Sequence, residues 1–168
     1  METTALISEE TYLRTSYGPE CEYADGVLIE RNWGEQDHSW LQAALSAWFF
    51  QRRKTWGIEV FTGQRHFVRK GRYMIPDVCV IWAPRPVEKV FDKPLIWIEI
   101  LSPEDRPIRV NEKIRELREF GVPNIWVIDP ETFEAEIHTP EGSSKIEDGV
   151  LRVAGTPIEV ALQSLDRD

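Results

Sequence analysis

One glutamate stands where a carboxylate is costly. The segment Pro94-Leu95-Ile96-Trp97-Ile98-Glu99-Ile100-Leu101 is almost continuously apolar and reads as a strand buried on both faces. An unpaired carboxylate in such a strand is strongly destabilising or takes up a proton. Glu99 therefore needs a metal ion, a basic partner or an exit to solvent at the strand end. Asp77 follows Pro76 at the head of a second apolar run, Val78–Trp82, and lies 22 residues before Glu99. Two strands joined by a loop of that size can lie side by side. Their carboxylates can then converge and hold a hard divalent cation through oxygen ligands. Lys113 comes 14 residues after Glu99, on a helical stretch able to pack back on the sheet. Its ammonium can there orient an attacking water or steady charge on a phosphate. Each residue also has an ordinary reading. Glu99 can be one half of a structural ion pair, Pro76-Asp77 can simply start a strand, and Lys113 can be a solvated helix residue beside Glu112 and Glu116.

Other residues can support such a site. Glu22, Glu30 and Glu35 are further carboxylates near the first long helix, and Glu30, at the end of a hairpin strand, is the preferred one. His38 falls in the first turn of that helix. It can contact a phosphate, hydrogen-bond a metal-binding carboxylate, or only fill the helix start. Arg65, Arg69, Lys70 and Arg72 precede Asp77; Arg65, Arg69 and Arg72 are the candidate nucleic-acid contacts, against the alternative of a solvated strand face. The basic run Arg52-Arg53-Lys54 is better explained as favourable charge at a helix C-terminus. His66 and His138 have no spacing partners. The chain has no HExxH, GxSxG, GxxxxGK or GxGxxG, so zincin, serine-hydrolase, P-loop and Rossmann chemistry lack support.

The elements that must position these residues can be read in order. Ser8 caps a short helix to about Thr15. Cys21–Glu30 is a hairpin turning at Asp25-Gly26. Asp37 caps a helix from His38 to about Lys54, carried by Leu41, Ala44, Leu45 and Trp48 and closed by Gly57. Strands follow at Ile58–Phe61, Arg65–Arg69 and Asp77–Trp82. A helix from Ile108 to about Phe120 joins the Glu99 strand to Asn124–Pro130, an arrangement that makes the two strands parallel neighbours. Short antiparallel strands complete the chain. The fold class is α/β (α+β), with a central mixed sheet flanked by helices. With 168 residues and no linker, one domain is expected over 1–168, its core about 22–130 and its C-terminal strands in 131–168.

Charge restrains the function. Acidic residues number 29 against 20 Lys and Arg, a net charge of −9, whereas duplex binding by phosphate attraction usually needs a basic excess. Any nucleic-acid role then rests on a local basic patch, bound metal or a partner. No apolar run approaches the roughly 18 residues of a membrane span. Cys21 and Cys79 have no CxxC spacing, which with the absence of a visible signal peptide fits a cytoplasmic protein. Six tryptophans fall at core positions; Trp33, beside the hairpin, is a candidate for a subunit interface in a homodimer.

Several short pieces, taken together, resemble the Uma-type restriction endonuclease family within the PD-(D/E)XK nuclease superfamily. They are Glu22-Tyr23-Ala24-Asp25-Gly26, Asp37-His38, Ile75-Pro76-Asp77-Val78, Ile98-Glu99-Ile100-Leu101-Ser102-Pro103, Lys113, and Gly121–Pro130. Their order and spacing carry the resemblance from about Tyr23 to Pro130. It implies a restriction-endonuclease-like core and a DNA substrate. It also implies Asp77, Glu99 and the Ile100 backbone carbonyl as ligands of Mg²⁺, for which Mn²⁺ can substitute. In the wider superfamily a lysine stands two residues after the acid; here that position is Leu101, and the resemblance moves the lysine's role to Lys113. The expected function is Mg²⁺-dependent hydrolysis of DNA phosphodiester bonds through Asp77, Glu99 and Lys113. A nuclease fold that no longer cuts and serves as a binding or assembly module is the alternative, and a structural domain in which Glu99 is merely ion-paired is a third.

Overall fold

The structure, a computed structural model, describes residues 5–32 and 34–165; Trp33 lies outside them. Helix α1 (Glu9–Arg14) is capped by Ser8, whose side chain accepts from the Thr11 N–H. Strands β1 (Cys21–Ala24) and β2 (Val27–Glu30) form the expected hairpin. Both turn residues are left-handed, Asp25 at φ 47° and Gly26 at φ 95°, which suits a two-residue turn between twisted strands. Helix α2 runs Gln36–Trp56. Its N-cap is Glu35, so Asp37 is not the cap; it sits in the first turn, where a carboxylate still favours the helix dipole.

Strands β3 (Ile58–Phe61), β4 (His66–Arg69), β5 (Arg72–Met74), β6 (Val78–Trp82) and β7 (Ile96–Ile100) follow. Helix α3 (Pro107–Phe120) then crosses to β8 (Asn124–Ile128), which pairs parallel to β7 with Glu99 opposite Val127. The chain ends with β9 (Ala135–Thr139), β10 (Gly142–Lys145), β11 (Val150–Arg152), β12 (Glu159–Ala161) and a short 3₁₀ turn, Leu162–Ser164. A mixed six-stranded sheet of order β10-β9-β8-β7-β6-β3 is the centre, and a four-stranded antiparallel sheet of order β2-β1-β5-β4 stands beside it. β5 was not expected as a strand. Three residues carry too little periodicity to announce one.

Strand alternation sorts the core into two layers. Ile96, Ile98 and Ile100 join Leu41, Leu45 and Phe49 of α2, together with Trp126, Leu151 and Val160. On the opposite face Trp97, Ile125 and Val127 meet Ile114 and Leu117 of α3. Glu99 has the parity of Trp97, so it points to the α3 side. Trp97 and Trp126 are fully buried, whereas Trp82, expected in the core, is 51% exposed. Both cysteines are buried and free. Among the described residues no helix is long and apolar enough to cross a membrane.

Gly121 ends α3 at φ 92°, and its N–H bonds to the Leu117 and Arg118 carbonyls. Gly121→Ala is expected to lower stability by about 1 kcal/mol, because alanine pays for the left-handed conformation that glycine adopts freely. Urea unfolding would measure it as a lower midpoint at unchanged slope.

Candidate active site

β6 and β7 are antiparallel with Val78 opposite Ile98, so Asp77, one residue before β6, falls beside Glu99. Two contacts hold it there. The Asp77 N–H donates to the Ile98 carbonyl at 3.2 Å, and the Ile100 N–H donates to Asp77 Oδ2 at 2.8 Å. Asp77 Oδ1 accepts from Arg31 Nη2 and lies 3.4 Å from His38 Nε2. Gln42, one helical turn after His38 on α2, donates to the Asp77 carbonyl at 2.9 Å. Burial pushes the Asp77 carboxyl up, but His38, Arg31 and the Ile100 N–H outweigh it and hold the group below the usual carboxylate range. The same pair raises His38, through its contact with Asp77 and against its own burial.

Glu99 is met from the other side. Lys113 Nζ lies 2.8 Å from Glu99 Oε1, and Trp97 Nε1 donates to the same oxygen at 2.6 Å. Burial raises the Glu99 carboxyl above its ordinary value; Lys113 opposes this, while Asp77 and Glu22 add to it. Two acids with opposite shifts on neighbouring strands are an arrangement characteristic of sites that handle protons or charge.

A third carboxylate belongs to the cluster, and it is Glu22. β1 lies against β5, which places Glu22 across from Met74 and lets Glu22 Oε1 accept from the Ile75 N–H at 3.0 Å. The same oxygen accepts from Lys113 Nζ at 3.0 Å, and Oε2 lies 3.3 Å from Arg72 Nη1. Burial favours the neutral Glu22, but Lys113, Arg72 and the Ile75 N–H prevail and lower it. Burial likewise opposes the Lys113 charge, yet Glu22 and Glu99 raise its pKa above the ordinary lysine value.

The structure thus brings Asp77, Glu99, Lys113 and His38 together. Lys113 lies one helical turn from Leu117, which is buried against the sheet, and so reaches the site rather than solvent. Ile100 contributes its N–H to Asp77. Glu30 does not join them: it is exposed at the end of β2, opposite Cys21. The strand end was an unsuitable guide, because Glu30 lies on the outer strand of the small sheet while Glu22 lies on the inner one. The alternation of Glu22 with Cys21 and Tyr23 reads as an outward-facing glutamate, whereas all three are buried because the second face of β1 is covered as well. Arg31 and Gln42 left no trace; their partner Asp77 lies 46 and 35 residues away.

The expected basic stripe is not present. Arg65 reaches over Tyr12 and donates to the Thr15 carbonyl at 3.0 Å, closing the C-terminus of α1. Arg72 is 6% exposed, between Glu22 and Glu116. Arg69 is paired with Asp25. Carboxylates already hold Arg69 and Arg72, backbone carbonyls hold Arg65, and a bulge between Phe67 and Arg69 interrupts β4, the strand that carries Arg69.

Residues 9–164 match the Uma2 family, described as "Putative restriction endonuclease". Among curated proteins none matches this sequence. Among solved structures the chain resembles the crystal structure of a putative nuclease belonging to DUF820 from Anabaena variabilis. The TM-score is 0.80 at 21% identity, over 95% of this chain and 97% of the other, a likeness of fold. With its family match over nearly the whole chain, its mixed sheet and the three converging carboxylates, this protein belongs to the Uma2 family of restriction-endonuclease-like proteins.

Proposed function

We propose that this protein is a divalent-metal-dependent endonuclease that hydrolyses DNA phosphodiester bonds. One observation carries the reading: Lys113, arriving from a separate helix, bridges Glu99 and Glu22 directly beside Asp77. A lysine delivered to a carboxylate pair supplies what a phosphate cleavage site needs, namely hard oxygen ligands and a cation near the developing negative charge. The family's description supports DNA as the substrate.

The donor set fits Mg²⁺. Asp77 and Glu99 offer carboxylate oxygens from adjacent strands, and Mg²⁺ commonly binds through one or two carboxylates, with water and substrate phosphate completing the shell. Among the described residues no group of three or more His, Cys, Asp or Glu forms a ready cage, so the protein would supply only part of the coordination. When bound, the ion supplies Lewis acidity that lowers the pKa of a water and steadies charge on the phosphate. Asp77 and Glu99 would hold it, with the Ile100 carbonyl as a third oxygen. Lys113 would position the attacking water or a phosphate oxygen, and His38 would fix the Asp77 carboxylate.

The test is nicking of supercoiled DNA with Mg²⁺ or Mn²⁺, run alongside thermal unfolding with the same ions. Wild type is expected to cut and to unfold at a higher temperature with metal, since a ligand of the folded state stabilises by mass action. Asp77→Asn should lose at least about 100-fold in cleavage and the metal-dependent shift. Equal cleavage by Asp77→Asn would reject the site. One observation favours the non-cutting module instead: every carboxylate of the cluster already has a resident cation, in Arg31, Lys113 or Arg72. Metal binding without cleavage of single- or double-stranded DNA would establish that reading.

A further inference from the structure

The feature that the cleavage scheme leaves unused is the pair Arg31-Asn32, immediately after β2. Arg31 is 19% exposed and tied at three points. Its N–H donates to the Glu20 carbonyl at 3.0 Å, Nη1 donates to Glu20 Oε2 at 2.9 Å, and Nη2 donates to Asp77 Oδ1. Asn32 spans the other way. Its Nδ2 lies 3.0 Å from both Ser102 Oγ and Asp105 Oδ1, on the loop that follows β7. The two residues therefore fasten one strap to both sides of the site, along a cavity of about 280 Å³ lined by Arg31, Asn32, His38, Gln42 and Asp77.

The Asp77 oxygens are unequally available. Oδ2 is committed to the Ile100 N–H, inside the sheet. Oδ1 is the oxygen left for a ligand; Arg31 sits on it, and His38 Nε2 stands 3.4 Å away on the same oxygen. We infer that Arg31 is a built-in competitor of the catalytic cation, occupying the Asp77 oxygen that a divalent ion requires and leaving it only when the ion arrives. This rests on the metal-site reading above. Arginine keeps its charge across the working pH range, so deprotonation offers no release; only exchange for another cation does. Once displaced, the guanidinium is a planar fork suited to phosphate oxygens. Metal and substrate phosphate would then load the site together: the ion frees Arg31, and the phosphate receives it. Metal alone should bind weakly.

The experiment uses Mg²⁺ as the probe and the full chain. In wild type, NMR follows two signals during titration: the Ile100 amide, bonded to Asp77, and the Arg31 side-chain N–H. Both are expected to move together, with the Arg31 signal losing the displacement that its bond to Asp77 imposes while the Glu20 contact stays. Calorimetric titration should show Mg²⁺ binding roughly ten-fold or more tightly to Arg31→Gln than to wild type, the scale of one lost charge-assisted bond. Arg31→Lys, which keeps the charge but not the fork, should fall between. An Ile100 amide that responds while Arg31 stays fixed would overturn the competition and leave the metal site standing. If neither signal responds, the metal site and the competitor fall together. The wild-type titration decides the matter even where Arg31→Gln is too unstable to study.

Discussion

Lys113→Met should destabilise the protein by about 3–5 kcal/mol and reduce DNA cleavage at least about 100-fold. Its ammonium lies 3.0 Å from Glu22 and 2.8 Å from Glu99, and among the described residues it is the one cation that touches both. Methionine has a similar reach and fills the same space, so the loss is of charge rather than packing. Two carboxylates would then share one pocket with Arg72 and Arg31 as their remaining cations. Removing one partner of a buried ion pair costs far more than the pair itself contributes, because the survivor stays desolvated. The neutralising variants should separate the two effects. Glu99→Gln should be as stable as wild type or more stable, because burial already disfavours the Glu99 charge, yet it should be inactive. Combining Lys113→Met with Glu22→Gln should recover a large part of the stability and none of the cleavage. Urea unfolding of the single and double variants, with a nicking assay beside it, tests both halves. A stable Lys113→Met protein that cuts normally would show that the lysine is a bystander.

Acid should also destabilise the protein through His66, which packs on the Trp97 ring beside this cluster. His66 is fully buried against Phe91 and Trp97, and its Nδ1 donates to the Asp92 carbonyl at 2.7 Å. A carbonyl only accepts, so the proton sits on Nδ1, and Nε2 is buried among the described residues without a partner. Protonating Nε2 would bury a charge and an unanswered N–H. Burial accordingly pushes His66 down to about 4, and its bond to Asp92 only partly resists. The sign follows from proton binding. Between pH about 6.5 and 4 the unfolded histidine takes up a proton that the folded one refuses, so stability falls as pH falls. The stability that His66 contributes is complete above pH 6.5 and lost on the way down to about 4, amounting to about 3 kcal/mol. His66→Asn keeps a donor for Asp92 and has no such titration. Urea midpoints of the two proteins at pH 7 and pH 4.5 should diverge, with the variant losing much less. Parallel losses in both would place the acid sensitivity in the carboxylates instead.

The elements that could be read ahead were those with local causes. Asp25-Gly26 announced its hairpin because both residues tolerate left-handed backbone. Gly57 and Gly121 announced helix ends for the same reason, at φ 64° and 92°. The crossover from β7 through α3 to β8 followed from two strongly apolar strands around one amphipathic helix. The start of α2 was misplaced by two residues because Glu35, Asp37 and their neighbours are all acceptable near a helix N-terminus. Arg65 and Arg72 look from their types like phosphate contacts. Only the arrival of α1 and of Glu116 turns them into internal partners.

For the site the division is sharper. Residue order alone dictated which side chains had to find partners, since a glutamate within an apolar strand, an aspartate at a strand head and a lysine on the following helix are anomalies of hydration visible in one dimension. It could not determine which partners they found. The pairing of β1 with β5 brings Glu22 to Lys113, while the exposed outer position of β2 leaves Glu30 in solvent. The chain's return after that hairpin lays Arg31 on Asp77 from 46 residues away. These outcomes depend on strand order and register, which are set by the balance of burial over the whole sheet, and no local pattern of residues records them.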